Sequence, residues 1–135
     1  RTKLPATLRR IDEIGKKYGF QIGNIFHAGD GNLHPIILFD QRDPEQFERA
    51  VAAANEIMQW CIDQGGVLTG EHGVGMEKNE LMPLLFSADD LDLMRRVRAA
   101  FNPSGRLNPG KVFPFGKGCG EVRVRPMPVS AASPI

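Results

Sequence analysis

Residues 21–39 read Gln21-Ile22-Gly23-Asn24-Ile25-Phe26-His27-Ala28-Gly29-Asp30-Gly31-Asn32-Leu33-His34-Pro35-Ile36-Ile37-Leu38-Phe39. Two apolar groups, Ile22 to Phe26 and Leu33 to Phe39, flank Asp30-Gly31, a pair favoured in two-residue type I′ hairpin turns. The pattern predicts two antiparallel strands, at about 21–29 and 32–39. A two-residue turn would set Gly29 opposite Asn32, Ala28 opposite Leu33 and His27 opposite His34. The two histidines would then share one sheet face, with Cβ atoms about 4.5–5.5 Å apart. Imidazoles so placed can each direct a ring nitrogen at one metal ion.

Outward from the hairpin the pattern turns helical. Leu4, Leu8, Ile11 and Ile14 recur at three- and four-residue spacing, predicting an amphipathic helix over 4–18 stopped by Gly19. Asp43-Pro44-Glu45-Gln46 is a helix start, with Asp as N-cap, Pro at the first position and Gln at the third. That helix runs to Gln64, with Phe47, Val51, Ala54, Ile57, Met58 and Cys61 on its apolar side, and ends at Gly65-Gly66. Val67-Leu68-Thr69 suits a short strand, and 78–85 a short helix ended near Pro83. Ser87-Ala88-Asp89-Asp90 is a capping box opening a helix to Phe101. All three main helices, Phe47 and Trp60 are expected to pack a core. After Phe115 the glycines, prolines and small residues predict a flexible tail, 116–135. The order α-β-β-α-(β)-α-α is α+β, with helices packed on an antiparallel, ferredoxin-like sheet.

The chain has 135 residues, 41% hydrophobic and 24% charged, which fits one domain of ordinary globular composition. Seventeen Lys and Arg against 16 Asp and Glu give a net charge of +1, which argues against a nucleic-acid binder working through bulk charge. No apolar run approaches the roughly 20 residues of a membrane helix. Arg1-Thr2-Lys3-Leu4-Pro5 resembles no signal peptide, and the lack of an initiator Met is compatible with processing, a tag scar or an excised fragment. Cys61 and Cys119 suit free thiols in a reducing compartment better than a disulfide. The expected setting is the cytoplasm, with or without peripheral attachment to the inner membrane.

All three histidines lie in two glycine-rich segments. Taken singly, each is an ordinary surface or core residue; two of them in register point to a shared site. A third ligand must come from elsewhere, and Glu71 in Gly70-Glu71-His72-Gly73-Val74-Gly75 is the candidate. Two histidines and a carboxylate with an open position suit Zn²⁺ and other divalent Lewis acids. Gly29, Gly31, Gly73 and Gly75 are expected to supply positive φ or close backbone approach. His72 is then either a general base, its ordinary pKa lying near neutrality, or a third imidazole ligand with Glu71 behind it.

Three motifs together carry a resemblance: His27-Ala-Gly-Asp-Gly-Asn-Leu-His34, Gly70-Glu-His-Gly-Val-Gly75 and Asn102-Pro-Ser-Gly-Arg-Leu-Asn-Pro-Gly-Lys111. In order and spacing, over residues 1–115, the chain resembles the C-terminal cap, or substrate, domain of FAD-linked oxidases of the vanillyl-alcohol-oxidase type. That group holds the glycolate oxidase FAD subunit, D-lactate dehydrogenases and D-2-hydroxyglutarate dehydrogenase. The resemblance implies that His27, His34 and Glu71 bind a divalent metal, zinc first, that holds the substrate's carboxylate and hydroxyl. It implies that His72 is the base in oxidation of a 2-hydroxy acid to a 2-oxo acid, and it places Asn108 beside the cofactor. It makes an N-terminal FAD-binding domain of the same protein the chief partner, so the 135-residue chain alone is expected neither to hold FAD tightly nor to oxidise substrate. Dicarboxylate-specific members of the group carry Asn where this chain has Ile36, which favours a small or apolar substrate such as glycolate or lactate.

Other readings remain open on the residues alone. A free-standing α+β metal- or ligand-binding module would use the same three ligands without redox chemistry. An interaction domain would pair with a second copy, as a homodimer, and hold no metal. An electron-transfer subunit is a further partner compatible with the resemblance. Nucleic acid is not expected.

Overall fold

The computed structural model describes residues 1–114, in the order α1 Leu4–Tyr18, β1 Gln21–His27, β2 Asn32–Leu38, α2 Pro44–Asp63, a 3-10 turn Asn79–Leu84 and α3 Ala88–Phe101. The expected tail 116–135, with Cys119, lies outside the described residues. The chain divides into two compact units, Arg1–Val74 and a second beginning at Gly75.

In the first unit α1 starts with a proline in its opening turn, carries Lys16 and Lys17 in its last turn and ends at Gly19, φ 75°. The lysines complement the negative end of the helix dipole. Gly19 donates to the Lys16 carbonyl and Phe20 to that of Gly15, the paired bonds of a Schellman close. The end of α2 repeats the device: Gly65 donates to Ile62 and Gly66 to Cys61, each at 2.8 Å. A side chain at Gly66 would put its Cβ 2.8 Å from the Cys61 carbonyl oxygen, so this close needs glycine twice. At its start, the Asp43 side chain accepts from the backbone N–H groups of Glu45 and Gln46.

Ile11 and Ile14 of α1 meet Ala53 and Ile57 of α2, and Ile22, Leu33, Ile37, Tyr18 and Cys61 pack around them. The inner hairpin face therefore belongs to Ile22, Leu33 and Ile37, which seats the sheet on the helices. Burial along α2 falls on Ala50, Ala53 and Ile57. That stripe is rotated from the expected one: Phe47 and Val51 are each 45% exposed. Small alanines are the reason, since they let α2 approach α1 closely where Phe47 would hold it off. Phe47 instead meets Phe39, ring centroids 6.2 Å apart. Beside the core, Glu56 of α2 takes Lys17 Nζ at 2.6 Å, Arg10 Nη2 at 2.9 Å and the Tyr18 hydroxyl at 3.0 Å.

The sheet has two strands, β1 and β2, antiparallel. The α+β class holds, but the expected ferredoxin-like sheet is here a single hairpin among the described residues. The strand that Val67-Leu68-Thr69 could have added is irregular, with Leu68 buried at 2% exposure.

The register also differs. His27 pairs with Asn32 and Ile25 with His34, so residues 28–31 form the connection. A two-residue type I′ turn needs positive φ at both central positions. Gly31 has it, at 74°, whereas Asp30 is not among the left-handed residues. The chain closes a longer loop, in which Asp30 and Gly31 both donate to the His27 carbonyl at 3.0 Å. His34 thus lies diagonal to His27 rather than opposite. An offset of two residues preserves the face, because side chains alternate with period two.

In the second unit Ser87 and Asp90 make the reciprocal capping box of α3. Leu91 is the one buried residue of this helix, and Leu93, Val97 and Phe101 are exposed, so α3 contributes less core than its pattern predicts. Arg98 holds the following segment, donating to the carbonyls of Leu107, Asn108 and Lys111 at 3.0, 2.5 and 2.7 Å. Buried Asn79 donates to the carbonyls of Gly110 and Phe113.

Candidate metal centre

The outer hairpin face carries His27 and Asn32 at the turn end, then Ile25 and His34, then Ile36 and Leu38. The two imidazoles meet edge to face, centroids 5.4 Å apart. After α2 the chain returns through 67–74 and brings Glu71 to them. Within this loop Thr69 Oγ1 accepts from the Gly73 N–H at 2.9 Å, and Gly73 takes φ 83°. The closing bond spans Glu71 and His72. Of the glycines expected to have conformational roles, Gly31, Gly73 and Gly75 have positive φ, while Gly29 has neither positive φ nor a close neighbour.

Three side chains converge on one oxygen. Glu71 Oε1 lies 3.0 Å from His34 Nε2, 3.8 Å from His27 Nε2 and 3.2 Å from His72 Nε2. One donor atom each of His27, His34 and Glu71 falls within 4.8 Å of the others, and His72 is outside that set. Ligands at about 2.0–2.1 Å on a tetrahedral zinc stand about 3.3 Å from one another. The observed spacings bracket that value, and the donor set is two borderline-soft nitrogens and one hard oxygen, so the three residues fit a divalent ion. His72 stacks on His34, centroids 5.1 Å apart and planes 28° from parallel. Its side chain is 73% exposed, against 56% for His27 and 22% for His34, so His72 is the most solvent-accessible of the three.

Asn108 belongs to the second unit. It adopts φ 47°, and its Oδ1 accepts from Lys111 Nζ at 3.1 Å. Asparagine tolerates that backbone better than most residues, so a turn-forming role before Pro109 is visible locally.

Asn32 is a residue of this neighbourhood that sequence reasoning passed over. It pairs with His27, and a Cβ built on Gly70 would stand 2.5 Å from its Oδ1. The one signal in the sequence is Gly70 immediately before Glu71.

The family model for the C-terminal domain of FAD linked oxidases matches residues 1–112. The chain is 43% identical over 121 residues to "Glycolate oxidase subunit GlcD" of Escherichia coli K12, covering 90% of this chain and 24% of that protein. It is 39% identical over 115 residues to "D-2-hydroxyglutarate dehydrogenase" of Stutzerimonas stutzeri, 82% of this chain and 25% of the relative. It is 34% identical over 112 residues to "D-lactate dehydrogenase" of Archaeoglobus fulgidus, 82% and 24%. The chain thus spans about a quarter of the length of these relatives.

Proposed function

The chain belongs to the FAD-linked oxidases, as their C-terminal domain, and on that premise we propose that it is the substrate-presenting part of an FAD-dependent 2-hydroxy acid dehydrogenase. Residues 1–115 are its cap. The convergence of His27, His34 and Glu71 on one point carries this reading. In it these residues hold a divalent metal, zinc first. A metal held there would supply Lewis acidity toward the carboxylate and hydroxyl of a 2-hydroxy acid.

His72 Nε2, exposed and 3.2 Å from Glu71 Oε1, takes the hydroxyl proton. An N-terminal domain of the same protein would hold the flavin, which would supply the hydride acceptor for oxidation to a 2-oxo acid. Asn108 faces that cofactor in the assembled protein, and the order α1-β1-β2-α2 is the portion of a ferredoxin-like cap carried by this chain. The apolar Ile25 and Ile36 flank His34 on the site face, the first across the strands and the second along β2. An aliphatic floor donates no hydrogen bond to a second carboxylate, which favours glycolate or D-lactate over 2-hydroxyglutarate.

Two measurements test the reading. Metal content of the chain purified with zinc should be close to one ion and should fall with His27→Ala or His34→Ala; unchanged content would remove the site. In the protein carrying the flavin domain, D-lactate or glycolate should turn over faster than 2-hydroxyglutarate; equal rates would remove the substrate assignment. A metal-loaded protein with no upstream flavin domain would instead favour the free-standing metal-binding module.

A further inference from the structure

Gly70 and Asn32 approach more closely than any side chain at position 70 would allow. A Cβ on Gly70 would stand 2.5 Å from Asn32 Oδ1, 2.7 Å from Cγ and 3.0 Å from Nδ2. The Asn32 amide therefore occupies the volume that a side chain at 70 would claim. Gly70 is not among the glycines of positive φ, so its backbone conformation does not itself demand glycine. Proximity does.

The place of this contact gives it meaning. Asn32 is the cross-strand partner of His27, and Gly70 is bonded to Glu71, so one packing contact joins a residue beside one metal ligand to the residue before another. Asn32 is half-buried, and its amide makes no hydrogen bond among the described residues. The contact therefore acts by shape.

We propose that Asn32 and Gly70 form a steric lock that positions Glu71 over His27 and His34, setting the spacing of the three ligands before metal binds. Asn32 is a positioning residue in this scheme, and the inference rests on the metal reading of the site. Buried Leu68 anchors the start of the glutamate loop and Glu71 and His72 meet His34 at its tip; between them lie the Thr69–Gly73 bond and the Asn32–Gly70 contact.

The test is a double-mutant cycle read as affinity of the full 135-residue chain for Zn²⁺ and Co²⁺, with thermal unfolding of the metal-free form measured in parallel. Gly70→Ala drives the new methyl into the Asn32 amide, and Asn32→Ala leaves the loop unsupported. Each should weaken metal binding by about 10-fold or more, the scale of losses when groups that orient metal ligands are removed. In the Asn32→Ala/Gly70→Ala pair the two methyls share the vacated volume, so affinity should recover to within about threefold of the parent, a non-additivity expected of residues in direct contact. Asn32→Leu keeps a γ-branched shape without the amide and should retain affinity.

Three results would overturn the lock. One is a double variant whose loss is the product of the single losses. Another is Asn32→Leu binding as weakly as Asn32→Ala. The third is both single variants binding metal normally while His27→Ala and His34→Ala do not, which removes the lock and leaves the metal site standing. If the histidine variants also bind normally, the metal reading fails and the lock with it. Should Gly70→Ala not fold, Asn32→Ala and Asn32→Leu decide the matter alone.

Discussion

Within residues 1–74 the site is assembled from two regions held in different ways. The helix-backed hairpin sits on a core of Ile11, Ile14, Ala53 and Ile57, with Glu56 gathering Arg10, Lys17 and Tyr18 alongside. The Glu71 loop has no regular structure; buried Leu68, the Thr69–Gly73 bond, the Gly70–Asn32 approach and the contacts of Glu71 and His72 with His34 hold it. In the proposed metal site two ligands would stand on a packed frame and the third on a loop, the frame supplying precision and the loop the negative charge. This division predicts that damage to the frame costs stability, whereas damage to the loop costs metal affinity.

The largest effect should come from the frame. Ile57→Ala deletes a side chain 2% exposed between α1 and α2. Cavity-forming changes of this kind destabilise by about 2–5 kcal/mol, so chemical denaturation should show a midpoint shift of that scale, with metal affinity lost only as the fold is lost. A metal-free fold of parental stability would show that the four-residue cluster is not the keystone of the hairpin.

Metal should act in the opposite direction. An ion bound only by the folded chain stabilises it by about 2.7 kcal/mol at 100 times its dissociation constant. Hydrogen exchange should show that gain as protection of 69–73 above that of α1, because the loop is what the ion fastens to the frame. Equal protection everywhere would mean that loop and frame already open as one unit. Thr69→Val is a smaller probe: it removes the acceptor for the Gly73 N–H, a loss of about 0.5–1.5 kcal/mol. It should weaken zinc binding while Thr69→Ser keeps it, and neither should move the metal-free melting temperature by more than the frame variant does.

The same contrast explains what the amino-acid sequence discloses. Helix ends are local: Gly19, Asp43, Gly65 and Ser87 name their own boundaries through caps that involve neighbours in the chain, and each is found where the residues place it. The histidine pair is legible because face alternation survives an error of two in register. What the pattern misses is set by distant packing. Phe47 looks like core and is displaced by the alanines of α2; Leu91 alone of α3 is buried; Val67–Thr69 forms no strand. The turn is misread because Asp30 does not take the left-handed backbone that the short turn needs. Gly70 gives no sign that its neighbour is Asn32, since that contact exists only after the loop has folded over the hairpin.

The smallest effect separates the two regions by pH. Asp43 is held below the ordinary aspartate range, chiefly by the hydrogen bond from the Gln46 side chain, then by its backbone N–H. Asp90 is likewise lowered, first by the Ser87 hydroxyl. A carboxylate whose folded pKa is depressed contributes stability that is present above its unfolded pKa, about 3.9, and is lost as pH falls through the folded value. The caps should therefore leave metal-free stability unchanged by their own titration down to about pH 5 and weaken it below about pH 4. Metal competes with protons for its ligands, so its release on acidification depends on metal concentration. Acidification should therefore give an upper transition, release of the ion, that shifts with zinc concentration, and a lower one, weakening of the caps, that does not. Asp43→Asn keeps an oxygen to accept from the helix N–H groups but cannot titrate, so it should shallow the lower transition and leave the upper one in place. A single transition, or an Asp43→Asn change that moves the upper one, would mean that loop and frame are coupled more tightly than their contacts indicate.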